Sequence, residues 1–388
     1  MILTHCAVCA TELGLSLGKK CGRCSTRYCG AACQAQHWKE GGHDTLCKKI
    51  KKAGGAEQYN ANKKYTEAVA VAAEKCAEDT KGQTCFICTQ ALHWKTKEGL
   101  VRGCSCRGTS GFAHVSCLEE QAKILVAEAL DNNLHEEVKT ERWNRWHTCS
   151  LCEQQYHGVV RCALGWACWK TYLGRRETDQ ARGMAMTVLG NGLAVADHHE
   201  DALVVREADL SMARRLGDSA GNILVTQTNL ACTYEKLGRH EQALRVRQEV
   251  YSRRMKLSGE ENIQTLAAAH NYAESLLTLD SFEEAKALLR KTMRVVRRVV
   301  SENDELTLRM RCIYAEVLYK NDRATLDDLR EAVTTLEDVE RTARRVLGGA
   351  HPVAKWIERS LGESRKKAQN YTSTKTCSPP AAGTGTCT

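Results

Sequence analysis

From about residue 180 onward the chain follows a helical rhythm. NLACTYEKLGRHEQAL at 229–244 aligns with NYAESLLTLDSFEEAK at 271–286, forty-two residues later, and LGNGLAVADHHEDAL at 189–203 aligns forty-one residues earlier. Small residues recur at one place in the first helix of each pair (Gly190, Ala231, Ala273, Ala315) and at another in the second (Ala202, Ala243, Ala285, then Ala332 after a five-residue insertion). Such residues let antiparallel helices approach closely. Within 285–299, Ala285, Leu288, Leu289, Val296 and Val299 share one face, and Arg290, Arg294, Arg297 and Arg298 share the other. Leu237-Gly238 marks a helix end with glycine just past it. Pro352 opens a last helix, with Trp356 and Leu361, suited to cap the stack. Upstream, Leu118, Ala122, Leu125 and Ala129 form a stripe over 118–130. The alanine-rich stretch EQYNANKKYTEAVAVAAEKCAEDTKG predicts a helix of about five turns.

Composition supports this reading. A chain of 388 residues holds two or three domains, and 43% hydrophobic content with 5% aromatics and three prolines favours helices over sheets. No stretch is apolar enough to span a bilayer. MILTHCAVCA lacks the charged and apolar segments of a secretory signal, and Gly385 stands where a prenylated cysteine would sit, so Cys387 is not read as one. The expectation is a soluble intracellular protein, cytoplasmic or nuclear, with no membrane partner. In that reducing setting 21 cysteines point to metal sites rather than disulfides.

The cysteines then add a second layer. Cys85/Cys88, Cys104/Cys106, His114/Cys117 and Cys149/Cys152 form four ordered pairs. Each Cys-x-x-Cys turn aims two thiolates at one ion, and four pairs hold two tetrahedral zinc ions. Alternating pairs usually share an ion, which assigns Cys85, Cys88, His114 and Cys117 to one zinc and Cys104, Cys106, Cys149 and Cys152 to the other. The text CSCRGTSGFAHVSCLEE, with one residue between Cys104 and Cys106 and seven before His114, resembles the RING-CH family of variant RING fingers. A plant homeodomain finger has the same ligand order but a wider second pair, and an aromatic where this chain has His147.

The RING-CH resemblance implies docking of a ubiquitin-conjugating enzyme, with Ile87 and Leu151 at two of the usual apolar contacts. It also departs from the pattern. The expected tryptophan is Gln121, the position often basic after the last ligand is Glu153, and 31 residues separate Cys117 from Cys149. That insertion reads as an extended central helix and a return segment whose Trp143 and Trp146 seal the helix against the finger.

The first fifty residues carry a similar framework: Cys6/Cys9, Cys21/Cys24, Cys29/Cys33 and His43/Cys47. YCGAACQAQHWKEGGHDTLC resembles the end of a MYND-type zinc finger. Carried over by position, the resemblance gives Cys6, Cys9, Cys29 and Cys33 one zinc, and Cys21, Cys24, His43 and Cys47 another. His37 competes for the histidine slot. His43 is preferred because His-x-x-x-Cys suits the last helical turn of such sites. The family's protein-docking surface, often for proline-containing peptides, would include Gln34 and Trp38, although Trp38 also suits a cover for the zinc core. No SET-type catalytic segment follows. So small a module cannot stand on apolar burial, so zinc must supply its folding energy, about 10–16 kcal/mol per structural ion. No ligand position is vacant in either finger, so none of the four zinc ions is expected to be catalytic.

Zinc also changes the charge. The formal +9 treats cysteines as neutral. Fourteen thiolates and four Zn2+ lower it to roughly +3, which weakens the case for nucleic acid. The lysine run Lys48, Lys49, Lys51 and Lys52 reads as a solvated helix end, and the arginine stripe as either a solvated face or a site for an acidic partner. The repeat period fits the tetratricopeptide pattern with lengthened helices, and its text resembles the repeats of kinesin light chains, which implies a concave peptide-binding groove.

The expected architecture is mainly α: an α-solenoid of tetratricopeptide-like pairs preceded by two small cross-braced zinc modules. Its segments are a MYND-type finger (1–50), a helical linker (51–82) with Cys76 as packing, and a RING-CH-like finger (83–157). A connecting helix (158–180) follows, in which Cys162 and Cys168 form no metal pair. Repeats with a cap span 181–364 and a disordered tail spans 365–388. The expected function is a zinc-binding adaptor for proteins or peptides. A RING-type ubiquitin ligase is the alternative and weak nucleic-acid binding a third reading. Chelation is expected to unfold 1–157 and spare the repeats.

Overall fold

The computed structural model describes residues 4–14 and 17–376, and the chain divides into two compact units, 1–237 and 238–388. The first unit begins with a minimal hairpin, β1 (Lys19–Lys20) and β2 (Arg27–Tyr28), paired antiparallel with Lys19 opposite Tyr28. Helices α1 (Ala31–Lys39), α2 (His43–Lys52) and α3 (Ala56–Cys76) follow. After a long loop come α4 (Val115–Asp131), α5 (Glu136–Asn144) and α6 (Gly158–Tyr172), then α7 (Gln180–Val195), α8 (His199–Leu216) and α9 (Ala220–Lys236). The second unit holds α10 (His240–Ser258), α11 (Ile263–Thr278), α12 (Phe282–Val299), α13 (Glu305–Lys320), α14 (Leu326–Leu347) and α15 (Pro352–Thr376). The fold is mainly helical, with tetratricopeptide-like helix pairs after the cysteine clusters.

The repeat alternates two kinds of helix start. The first helix of each pair has a side-chain cap: Asp179, Ser219, Asn262 and Asp304 accept from backbone N–H groups of α7, α9, α11 and α13. Each cap contributes about 1 kcal/mol. The turn into the second helix instead places Asp197, Gly238 and Asp280 at φ of 62°, 70° and 55°, where the short polar side chain of Asp tolerates the left-handed region. The recurring small residues are buried, with Ala202, Ala231, Ala243, Ala273, Ala285, Ala315 and Ala332 at 0–1% exposure. Arg206 and Arg247, four residues beyond their alanines, are buried too. Arg206 donates to the Asn229 carbonyl, Thr233 Oγ1 and Asn191 Oδ1, and Arg247 donates to the Asn271 carbonyl and Ser275 Oγ. At the same register, α12 and α14 use Leu289 and Leu336, which lie wholly inside the second unit's core.

Three expectations change. Residues 365–376, expected as disordered tail, continue α15. Ser364 is fully buried, Ala368 and Tyr371 pack on the core, and Arg365 donates to Glu337 at 2.7 Å. The helix continues because it has neighbours to bury against, which a composition rich in Ser, Thr and Lys does not reveal. Residues 377–388, including Cys377 and Cys387, lie outside the described residues.

The second change concerns the linker and the connecting helix, which together form the middle of the first unit. Helix α3 packs along α6, burying Ala61, Val69 and Ala72, while ten residues of α6 are buried, among them Trp166 and Trp169. Gly165 and Gly192 make the α6–α7 contact close. A Cβ at Gly192 would stand 2.7 Å from the Arg161 carbonyl oxygen, and one at Gly165 would stand 3.2 Å from Leu189 Cα. Third, Trp143 and Trp146 seal α4 and α5 against α6 and α7 rather than against the finger. Both rings lie beside Tyr172, at 5.2 and 5.7 Å between centroids.

Candidate metal centres

Four tight turns with one backbone geometry build the sites. After Cys6/Cys9, Cys21/Cys24, Cys85/Cys88 and Cys149/Cys152, the next residue (Ala10, Ser25, Thr89, Glu153) has φ of 55–62°. In each turn that residue's N–H returns to the carbonyl of the first cysteine, at 2.8–3.2 Å. The first cysteine's own N–H reaches the residue one further on, at 2.8–3.0 Å. None of the four left-handed residues is glycine, so each turn holds strain of about 1–2 kcal/mol. Backbone N–H groups of Ile87 and Leu151 donate to Cys85 Sγ and Cys149 Sγ, both at 3.4 Å, and orient the two sulfurs. Sequence spacing identified the cysteines. The left-handed residues after them have no such signature, because Ala, Thr and Glu are not turn formers.

The ligand atoms meet in four tetrads: Cys6, Cys9, Cys29, Cys33; Cys21, Cys24, His43, Cys47; Cys85, Cys88, His114, Cys117; and Cys104, Cys106, Cys149, Cys152. Within each tetrad all four lie within 4.8 Å of one another. Zn–S bonds of about 2.3 Å in a tetrahedron separate sulfurs by about 3.8 Å. The structure places Cys9 and Cys29 Sγ at 3.5 Å, Cys106 and Cys149 at 3.8 Å, and Cys21 and Cys47 at 4.0 Å. These cysteines are free thiols. Two tetrads offer four thiolates each and two offer three thiolates with one imidazole, donor sets that fit zinc, with four sites in the chain.

The two histidines use opposite ring nitrogens. His43 turns Nε2 toward Cys24 Sγ at 3.4 Å, and its buried Nδ1 has no partner. His114 turns Nδ1 toward Cys88 and Cys117 Sγ, at 3.4 and 3.6 Å, leaving Nε2 to donate to the Ala91 carbonyl at 3.4 Å. That outer bond selects the tautomer with a free Nδ1. His37 stays outside the tetrad and bonds Tyr28 Oη through Nδ1 at 3.0 Å. His43 and Cys47 lie on the first two turns of α2, not on a last turn as expected.

The tetrads differ in shelter. Cys9 and Cys29 of the first are exposed, whereas every member of the second is buried. In the fourth, Gly111 at φ 85° lies against the sulfurs: a Cβ there would stand 2.6 Å from Cys106 Cβ and 3.0 Å from Cys106 Sγ. Around the third, Glu98 accepts from Ser116 N and Oγ at 2.7 and 2.9 Å. Buried Glu119 pairs with Lys170 at 2.7 Å, and that ammonium sits 3.9 Å over the Tyr65 ring. The finger is thereby fastened to α3 and α6, and its core includes Val69, Ala72, Val160 and Leu164. Cys162 and Cys168 join no tetrad among the described residues. Burial pushes the Cys162 thiol up to about 12 and raises the Cys168 thiol well above its ordinary value, as inert packing groups.

The four residues expected to face partners are distributed over the two cysteine-rich segments. Ile87 and Leu151 are 37% and 51% exposed at the tips of two turns. Gln34 is half-buried on α1, and Trp38 is 43% exposed with its ring edge-on to His43 at 5.8 Å. Gln121, at the place of the expected tryptophan, accepts from Ser150 Oγ at 3.5 Å.

Residues 6–47 match the family model of the MYND finger. The match spans the first two tetrads from first ligand to last. Residues 265–305 match a tetratricopeptide repeat model, which falls on α11 and α12. No curated protein matches the chain. Among solved structures, two of the Podosopora anserina putative kinesin light chain with nearly identical TPR-like repeats share 16% identity, cover 60% of this chain and 97% of their own, and give a TM-score of 0.41. BtubC (BKLC) from P. vanneervenii shares 14% identity, covers 71% of this chain and 97% of its own, and gives 0.37. No helix among the described residues is long and apolar enough to cross a membrane.

Proposed function

We propose that the protein is a zinc-held adaptor. Each tetrad binds one zinc ion as a closed structural site, the MYND finger holds one protein or peptide, and the helical repeats hold another. The observation that carries this reading is the coincidence of the MYND match with two complete tetrads of zinc-like spacing. Four protein ligands leave no open position for substrate, so these ions shape surfaces rather than react. Joining two binding surfaces in one chain raises the effective concentration of one partner near the other. Elemental analysis of the purified chain should return four zinc ions. A partner held by the finger should be lost in Cys24→Ser while one held by the repeats is kept. A metal-free folded chain, or partner retention indifferent to zinc, refutes the adaptor.

The second reading is a RING-type ubiquitin ligase, supported by the exposure of Ile87 and Leu151 on two Cys-x-x-Cys turns of the 85–152 segment. Gln121 and Glu153 weigh against it, since an aromatic anchor contributes about 2 kcal/mol or more to such an interface. Autoubiquitination across a panel of conjugating enzymes, abolished by Ile87→Ala with zinc retained, would support it. Silence across the panel leaves the adaptor alone.

A further inference from the structure

The charge of this chain is concentrated at one end. Residues 1–55 hold nine Lys and Arg against three Asp and Glu, a formal +6 of the total +9. Zinc loading sharpens the contrast. Seven thiolates and two Zn2+ in residues 1–55 lower that part to roughly +3, and the same change beyond residue 55 brings the remainder to roughly zero. The net formal charge of the loaded chain therefore sits on residues 1–55, most of it on the lysines just past Cys47.

The structure gathers this charge around one metal site. The second tetrad joins the Cys21–Cys24 turn to α2. Lys20 adjoins Cys21, Arg23 lies between the two cysteines, and Lys48, Lys49, Lys51 and Lys52 follow Cys47 along α2. All six are exposed, and among the described residues none forms an ion pair. Several cations beyond this end are matched, among them Lys170 with Glu119, Arg311 with Asp338 and Lys286 with Asp328. Helix α2 also shows why this face is open. His43, Cys47 and Ile50 are its buried side, so the lysines occupy the arc opposite.

We infer that this cationic face of the MYND finger docks an acidic peptide segment of a partner protein. The inference rests on the adaptor reading and assigns one partner its chemistry. Carboxylate side chains complement the ammonium groups at each position, and the exposed Trp38 beside His43 offers an apolar contact on the adjoining helix. Single-stranded nucleic acid fits less well. It needs several stacking platforms, and the finger exposes Trp38 with Asp44 and Glu40 set among its cations.

The test uses the zinc-loaded full chain and a fluorescent Glu-rich peptide containing one leucine, with its Gln-rich counterpart and an oligo-dT strand as alternative ligands. The acidic peptide should bind at least about tenfold tighter than the neutral one at low salt, and the difference should shrink as salt shortens the screening length to about 8 Å or less. Lys48→Glu with Lys49→Glu should abolish the preference with four zinc ions retained, and Arg294→Glu in α12 should leave it intact. Three results overturn the inference: equal binding of acidic and neutral peptides, tighter binding of oligo-dT, or loss of zinc in the double variant, which would make the lysines supports for the thiolates. Failure here with four zinc ions and a partner lost in Cys24→Ser leaves the adaptor standing.

Discussion

Substituting Gly111 by alanine should weaken one zinc site without touching a ligand. Two costs add. A left-handed φ of 85° costs an L-residue about 1–2 kcal/mol. The new methyl would meet Cys106 Cβ at 2.6 Å and Cys104 Sγ at 3.3 Å, and overpacking of that kind costs about 1–3 kcal/mol. The sum, about 2–5 kcal/mol, is well below the 10–16 kcal/mol or so of a structural zinc site. The ion should therefore stay, but with affinity lower by about 30-fold to 4,000-fold, at about 1.4 kcal/mol per factor of ten. Gly108 supplies the control: its φ is 60° and a Cβ there would meet nothing within 4 Å. Chelator competition on the loaded chain should show one of the four ions released early in Gly111→Ala and a smaller shift in Gly108→Ala. Loss of that ion reopens the connection between Cys106 and Cys149, 43 residues apart, removing about 4 kcal/mol of loop-closure stabilisation. If the two variants hold zinc equally, the contact with the sulfurs does not matter and the reasoning fails.

Other expectations follow from the same structure. Thr89→Gly relieves a β-branched residue at φ 62° and should stabilise by about 1 kcal/mol, seen as a rise in melting temperature of about 2–4 °C. Arg206→Ala removes donors to Asn229, Thr233 and Asn191 and should destabilise by about 3 kcal/mol in urea unfolding, with Arg206→Lys failing to restore it. Burial pushes the Asp209 carboxyl up to about 7 despite the hydrogen bond donated by Thr187. Its folded value stands above the unfolded one, so its contribution to stability is complete below about pH 4 and lost as pH rises through 7. Asp209→Asn should therefore be more stable than the parent at pH 8, and the advantage should vanish near pH 4. Chelation should disrupt the first unit beyond residue 157, because α3 and α6 share the finger's core, and helical signal from α10–α15 should remain, because their core contains no tetrad.

Local chemistry and periodicity made part of this molecule legible in its amino-acid order. Cysteine spacing selected sixteen residues that the structure gathers into four tetrads, and the forty-two-residue period picked out small residues that the structure buries. Both signals are written in neighbouring residues, so they survive without knowledge of the fold. The rest depends on packing between distant segments. The apparent linker and connecting helix became central because α3 and α6 bury against each other, a choice of neighbour that an alanine-rich or apolar stretch does not specify. Helix α15 outran its composition because Ala368 and Tyr371 found a core to join. Thr89 and Glu153 became left-handed turn residues as their cysteines turned toward one point, and Gly111 became hard to replace because two sulfurs arrive beside it. Those constraints come from groups distant along the chain, and no local pattern encodes them.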